Sequence, residues 1–138
     1  MILVIRISGM VEVPTTINDT LSRIRLRRKY AAVLLKETDD NYKLLSHVRN
    51  FVAFGTIDNA TLTELVTKRG QALKGKKIDA IKIVGDIEKK SLEELGLKPF
   101  FRLHPPRGGI KSKLHYPLKG GVLGDNKTDI NVLVRRML

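Results

Sequence analysis

The sequence predicts an α+β fold, because short apolar runs typical of strands alternate with amphipathic segments of helical periodicity. Strand, helix, strand, helix and strand follow one another within residues 1–57, which we expect to form a βαβαβ core. Residues 58–138 continue with helical patterns, a basic segment rich in proline and glycine, and a last helix. We therefore expect a ferredoxin-like core with its helices on one face of a small sheet, and an extension that packs with it as one domain.

Three apolar runs predict the strands of the core. Residues 2–7 are mostly β-branched and alternate little between apolar and polar positions, which is typical of a central strand covered on both faces. Residues 30–36 and 51–54 predict the second and third strands. Right-handed crossovers between such strands would place both connecting helices on the same face of the sheet.

The first helix is predicted from a start signal and an apolar stripe. Pro14 and the two threonines after it start the helix. Its apolar stripe consists of Ile17, Leu21 and Ile24. Leu26 lies on the opposite side at helical spacing, so we expect the helix to end near Arg25.

Four further helical segments are predicted, at residues 38–49, 58–70, 79–97 and 125–137, the third of them as one or two short helices. Thr38 begins the capping segment of the first of these. Asp58 and the spacing Thr61-x-x-Glu64, which is that of a capping box, open the second, and Gly70 ends it. The C-terminal segment carries an apolar face formed by Ile130, Leu133, Val134 and Met137.

The remaining segments are predicted as one strand and two loops. Residues 99–103 favour a strand, and the charged residues 74–77 favour a solvated loop. Residues 105–121 contain repeated prolines and glycines, so we expect them to lack regular structure.

Composition restricts the classes of function. The 138 residues contain 26 Lys and Arg against 14 Asp and Glu, a formal net charge of +12, and nucleic acid is the commonest partner of so basic a protein. The absence of cysteine excludes a disulfide framework, a Cys-ligated metal site and a thiol nucleophile. No apolar run approaches the roughly 20 residues of a membrane span, so we expect a soluble, cytoplasmic protein without a membrane partner.

Most of the excess positive charge lies in two segments. Five of the seven residues at 23–29 are basic, and residues 98–120 contain six basic residues and no acidic one. Guanidinium groups bind phosphate through paired hydrogen bonds, and exposed glycine backbone allows an RNA strand to approach closely. The candidate RNA-binding residues are therefore Arg23, Arg25, Arg27, Arg28, Lys29, Arg102, His104, Arg107, Lys111, Lys113 and Lys119.

Simpler explanations exist for the same residues. Cations at the end of the first helix complement the helix dipole, although one or two would suffice, and the second segment could be a solvated loop. His104 and His115 lie within this basic segment, where a role in RNA contact is favoured over a role as general base. We therefore expect no catalytic residue. No metal-ligand spacing and no glycine-rich phosphate motif occurs, so we expect no metal, cofactor or small-molecule substrate.

Four stretches resemble one family of ribosomal proteins. They lie at residues 20–35, 50–55, 65–70 and 102–109, of which the loop 104–109 is the most specific. The chain is similar over residues 2–124 to archaeal members of the universal large-subunit ribosomal protein number thirty family, whose eukaryotic relatives are called number seven. It lacks the long basic N-terminal arm of the eukaryotic members and has a second half that bacterial members lack, which favours an archaeal source.

The resemblance implies a structural protein of the large ribosomal subunit that binds and stabilises large-subunit ribosomal RNA, without catalysis. It implies RNA contacts on the same two basic segments, with 5S ribosomal RNA and neighbouring ribosomal proteins as further candidate partners. The alternative is a general basic nucleic-acid-binding protein outside the ribosome, which would bind DNA and RNA duplexes with similar salt dependence. An enzyme would require a substrate pocket with a perturbed titrating group, and a membrane-surface protein would bind anionic vesicles.

Overall fold

A six-stranded sheet lies at the centre of the computed structural model, which describes residues 1–7, 13–71, 80–86, 97–98, 100–107, 112–115 and 121–138. In chain order its strands are β1 (Ile2–Arg6), β2 (Ala31–Leu35), β3 (Val52–Thr56), β4 (Phe101–Arg102), β5 (Ser112–His115) and β6 (Gly121–Asp125). Across the sheet they follow the order β4-β2-β1-β3-β6-β5. The helices are α1 (Thr15–Arg23), α2 (Asp39–Val48), α3 (Asn59–Arg69), α4 (Ala80–Asp86) and α5 (Ile130–Met137).

Strand β1 is central and buried along its whole length, as the sequence predicts. It pairs antiparallel with β2 on one side and with β3 on the other. Ile2 and Val4 belong to the apolar cluster that contains the buried residues of α1 and α2. Leu3 and Ile5 belong to the cluster that contains those of α3, α4 and α5. The two faces of the sheet are therefore both covered, which explains why residues 2–7 show so little alternation.

The predicted fold class is confirmed, and the two helices of the βαβαβ core share one face of the sheet. The connection between β1 and β2 differs from the expected crossover, because these strands are antiparallel neighbours. The handedness rule concerns parallel strands, so it does not apply to α1. Strands β2 and β3 are each antiparallel to β1 and lie on either side of it. Therefore β2, α2 and β3 form a split βαβ unit, in which β1 lies between the two parallel strands.

The start of α3 corrects the predicted capping box. Asp58 is the N-cap, and its carboxylate accepts a hydrogen bond of 2.7 Å from the backbone N–H of Thr61. Thr61 lies within the first turn of the helix and does not cap it. This backbone hydrogen bond, with smaller contributions from the Thr61 side chain and Arg135, holds the pKa of Asp58 below its ordinary value. The helix ends before Gly70, as predicted.

The prediction that residues 105–121 lack regular structure is wrong. Strand β5 lies inside this segment, and β6 begins at its last residue. These strands pair in parallel with each other, and β6 also pairs with the distant strand β3. Pairing with other strands therefore outweighs the local effect of proline and glycine. The C-terminal helix begins later than predicted because residue 125 ends β6 and a 3-10 turn at Lys127–Asp129 precedes α5. Helix α4 lies within predicted segment 79–97, whereas the predicted loop 74–77 and residues 87–96 of that segment lie outside the described residues.

Asn131 in α5 joins the C-terminal helix to the core. Its side-chain oxygen accepts a 3.0 Å hydrogen bond from the backbone N–H of Asp58. Its amide nitrogen donates to the carbonyls of Thr56 at 3.3 Å and Thr128 at 2.8 Å. Asn131 is 8% exposed, so these bonds are shielded from water. The connection between β3 and α3 is thereby fixed against the start of α5.

Gly55 provides a test of this packing. A Cβ atom at Gly55 would collide with the backbone carbonyl of Lys127 and lie 2.9 Å from the Cβ of Ile130. We expect Gly55→Ala to lower the free energy of unfolding by about 2–3 kcal/mol in urea denaturation, because backbone must move to accommodate it. At Gly85 in α4 a Cβ would meet nothing within 4 Å. The control Gly85→Ala should be neutral or stabilise by up to about 1 kcal/mol, and equal losses in both variants would contradict this account.

Candidate nucleic-acid interface

A cleft of about 370 Å³ lies where the loop between α1 and β2 meets the edge strand β4. Its lining contains cations from both basic segments and no acidic residue among those the structure describes. The lining residues are Arg25, Arg27, Arg28, Lys29, Tyr30, Ala31, Phe100, Arg102 and Leu103. The fold therefore gathers positive charge from two distant parts of the chain at one concave site.

Pairing between β2 and β4 brings the two basic segments together. Ala31 lies opposite Arg102 in this antiparallel pair, and Ala32 lies opposite Phe101. The backbone N–H of Leu103 donates a 3.0 Å hydrogen bond to the carbonyl of Tyr30. Phe101 is fully buried while Arg102 is exposed, as expected for successive residues of a strand. Arg102 is thus fixed beside the last residues of the loop between α1 and β2.

The end of α1 directs the loop between α1 and β2 toward the cleft. Arg25 adopts a left-handed backbone conformation with φ of 69°. Its N–H donates to the carbonyl of Ser22 at 3.1 Å, and the N–H of Leu26 donates to that of Leu21 at 2.8 Å. This pair of hydrogen bonds is the usual closure of a helix by a left-handed residue, a position that normally favours glycine. It reverses the chain so that Leu26 packs beside Leu21 in the core.

Arg6 holds this loop in place and was not among the predicted site residues. It is 1% exposed, and burial lowers the pKa of its guanidinium, which nevertheless stays charged as arginine does in proteins. Nη1 donates to the carbonyl of Leu26 at 2.8 Å, and Nη2 donates to Oδ1 of Asn18 at 2.8 Å. The carbonyl of Arg6 accepts from the N–H of Tyr30 at 2.7 Å. A lone cation in the apolar run 2–7 is the signal that could have identified it.

Two aromatic residues that the sequence analysis also missed lie among these cations. The Nζ of Lys29 lies 5.0 Å from the ring centre of Tyr30. The guanidinium of Arg102 lies 5.6 Å from the ring centre of Phe100. Both distances are within the range of cation–π interaction, and both rings are half-buried. Aromatic residues close to basic ones in each segment were the available signal.

The first basic segment is not wholly in the cleft. Arg27, Arg28 and Lys29 lie in the connection to β2, as predicted, and their side chains are exposed. Arg23 is the last residue of α1 and is exposed, but it is not among the residues that line the cleft.

The second basic segment continues from the cleft to the end of α5. The N–H of His104 donates to the carbonyl of Met137 at 2.9 Å, and that of Arg107 donates to the carbonyl of Arg136 at 2.9 Å. His104 and Arg107 are exposed but do not line the cleft. The positions of the Lys111, Lys113 and Lys119 side chains lie outside what the structure describes.

The described part of the chain contains neither a metal site nor a membrane-spanning helix. No group of three or more His, Asp or Glu side chains there could hold a metal ion. No helix in the same residues is long and apolar enough to cross a membrane.

Comparison with known proteins links the chain to ribosomal proteins. The family model described as ribosomal protein L30p/L7e matches residues 2–52. A protein of Aeropyrum pernix named large ribosomal subunit protein uL30 is 38% identical, over 98% of this chain and 97% of the relative. Proteins of the same name from Archaeoglobus fulgidus and Pyrobaculum islandicum are 37% and 36% identical, over 99% and 98% of this chain and 99% and 92% of their own lengths.

The left-handed backbone of Arg25 gives a prediction about stability. We expect Arg25→Gly to raise the free energy of unfolding by about 0.5–1 kcal/mol, because glycine adopts this conformation without a Cβ clash. The matched variant Arg23→Gly removes the same charge from the last residue of the helix and should lower stability by about 1 kcal/mol. Urea denaturation measures both, and a change of the same sign in the two variants would rule out strain at residue 25.

Proposed function

The chain belongs to the ribosomal protein L30p/L7e family, and on that premise we propose that it binds and stabilises large-subunit ribosomal RNA as a structural constituent of the large ribosomal subunit. The family is one of ribosomal proteins and not of enzymes. The similarity to the archaeal relatives extends from the first strand through the C-terminal helix, because their alignments cover 98% or more of this sequence.

The observation that carries the proposal is the convergence of cations on one cleft. The α1–β2 loop contributes four cations, and β4 contributes Arg102 across the strand pair. Each cation that neutralises a phosphate releases condensed counterions from the RNA, and this release favours binding. None of the described residues that line the cleft is acidic, so its described lining has a net positive charge.

The backbone beneath the cations is ordered before RNA arrives. Arg6 bonds to Leu26 and Tyr30, and Leu103 bonds to Tyr30, so the loop and the edge strand are joined by hydrogen bonds of 3.0 Å or less. A binding surface that is already ordered loses less conformational entropy on association. The guanidinium groups can then bind phosphates in bidentate geometry, which positions the protein on the RNA backbone.

A second contact region extends along the chain from the cleft. It comprises His104 and Arg107, whose backbone bonds to the end of α5, and, from their place in the sequence, Lys111, Lys113 and Lys119. Arg23, at the end of α1, precedes the loop that lines the cleft and is a further proposed contact. Ribosomal RNA folded against both regions would be held at two places, which stabilises its tertiary arrangement during assembly. Within the cytoplasmic ribosome, 5S ribosomal RNA and neighbouring ribosomal proteins are further proposed partners.

Sedimentation tests the ribosomal assignment. In a sucrose gradient of a gently lysed extract, the protein should migrate with the large subunit and leave it only at high salt or after RNase treatment. A peak at the top of the gradient at moderate salt would refute the proposal. Equal affinity for DNA and RNA duplexes would then favour the general nucleic-acid-binding alternative.

Two lysines at opposite ends of β2 test the role of the cleft. Lys29 precedes the strand and lines the cleft, whereas Lys36 follows the strand and does not. For purified large-subunit ribosomal RNA, we expect Lys29→Gln to weaken binding and to reduce the slope of log K against log salt by about 0.7–0.9, the value for one phosphate contact. Lys36→Gln removes the same charge and should leave the slope unchanged. Equal effects would show that only net charge matters.

A further inference from the structure

We infer that the cleft takes one unstacked nucleotide of the RNA, with its base against one of the two aromatic rings that line the cleft and its phosphates at the surrounding cations. The inference rests on the proposed function and adds the chemical class of ligand that this cleft recognises. It predicts that the protein prefers RNA with an extruded base to a continuous duplex, without requiring hydrogen-bond readout of base identity.

The lining of the cleft has two different characters. Tyr30 and Phe100, with Ala31 and Leu103, supply apolar and aromatic surface, while the arginines and Lys29 supply charge. A surface that contacts only backbone phosphates needs cations but no aromatic wall. A nucleotide carries both an anionic phosphate and a flat base with a π face, so its two parts match the two characters of the cleft.

The size of the cleft also fits a nucleotide. Its volume of about 370 Å³ lies at the lower end of the roughly 300–1,000 Å³ typical of sites for small organic ligands. A single phosphate group would leave most of this volume empty, and a double helix is too wide to enter it. One base with its sugar and phosphate is the part of an RNA chain that such a volume can enclose.

Each ring already lies within cation–π distance of a basic side chain. Arg102 lies 5.6 Å from the centre of Phe100, and Lys29 lies 5.0 Å from the centre of Tyr30. RNA-binding proteins stack splayed bases on aromatic rings and on the plane of arginine guanidinium groups. A base that enters the cleft would thus meet both an aromatic ring and a guanidinium group close to each other.

The backbone and the core hold both aromatic rings in place. Tyr30 has φ of 66°, and both its N–H and its carbonyl are bonded, to Arg6 at 2.7 Å and Leu103 at 3.0 Å. The ring of Tyr30 packs against one core cluster and that of Phe100 against the other. Each ring is therefore anchored on the core while remaining half-exposed, which lowers the entropic cost of stacking a base on it.

The test compares two RNA hairpins with equal numbers of phosphates. One has a fully paired stem, and the other has a single-nucleotide bulge in which the bulged base is 2-aminopurine. We expect the full-length protein to bind the bulged hairpin about tenfold more tightly, since base–aromatic stacking contributes favourably to each base bound. The 2-aminopurine fluorescence should fall on binding, because stacking quenches it.

Two substitutions locate the effect in the cleft. Phe100→Leu keeps an apolar side chain but removes the ring, and Arg102→Lys keeps the charge but removes the guanidinium plane. Each should lower affinity for the bulged hairpin severalfold more than affinity for the paired one. Arg102 is exposed, so Arg102→Lys tests the inference even if Phe100→Leu fails to fold. The control Tyr42→Leu removes an aromatic side chain, 40% exposed, that does not line the cleft, and it should change neither affinity.

The outcomes separate the inference from the proposed function. Equal affinity of the unmodified protein for the two hairpins overturns the inference, as does a preference for the bulge that survives both substitutions. Salt-dependent binding to both hairpins without preference would leave phosphate recognition intact. Failure of the protein to sediment with the large subunit would instead overturn the proposed function.

Discussion

Burial of the Arg6 guanidinium at the end of the central strand is the interaction on which the basic surface depends. Removing a cation from water costs several kcal/mol unless hydrogen bonds replace its hydration. Here the carbonyl of Leu26 and the side chain of Asn18 replace part of it, so helix α1 and the loop after it must stay where those acceptors are. The exposed cations of that loop repel one another, and the hydrogen bond from Arg6 to Leu26 holds the loop in place against that repulsion.

Backbone strain in the same loop has a related cause. Arg25 and Tyr30 have φ of 69° and 66°, a conformation that costs of order 1 kcal/mol or more for residues with a Cβ atom. Hydrogen bonds maintain this conformation at both residues. The bond from Leu26 to Leu21 closes the chain after Arg25, and Tyr30 is bonded to Arg6 and to Leu103. The two reversals place Leu26 in the core and leave the cations outside it. Strain of this kind persists only where surrounding contacts determine the backbone, which is common at functional sites.

Local patterns in the sequence predicted the elements, and long-range pairing determined the site. Strand β1 and the apolar stripe of α5 follow from residue periodicity alone, and the exposed arginines follow from their charge. Strand β5 could not be found in that way, because its hydrogen-bond partner lies in β6 and the prolines and glycines on either side of it favour turns. The position of Arg102 beside the basic loop likewise depends on the pairing of β4 with β2. The same pairing brings Phe100 to the cleft, and its place next to basic residues was the only local signal for it.

The cleft lies at an edge of the sheet, so the residues of the proposed RNA-binding surface also guard an exposed strand edge. Strand β4 is an edge strand in the described sheet, and an exposed edge invites pairing with another chain. Its two-residue length and the exposed Arg102 both discourage such pairing. The arginines and lysine of the neighbouring loop add repulsion between protein copies while no polyanion is bound. In the proposed complex, RNA that neutralises these cations would remove the repulsion that protects the edge, but the RNA itself would then cover that edge.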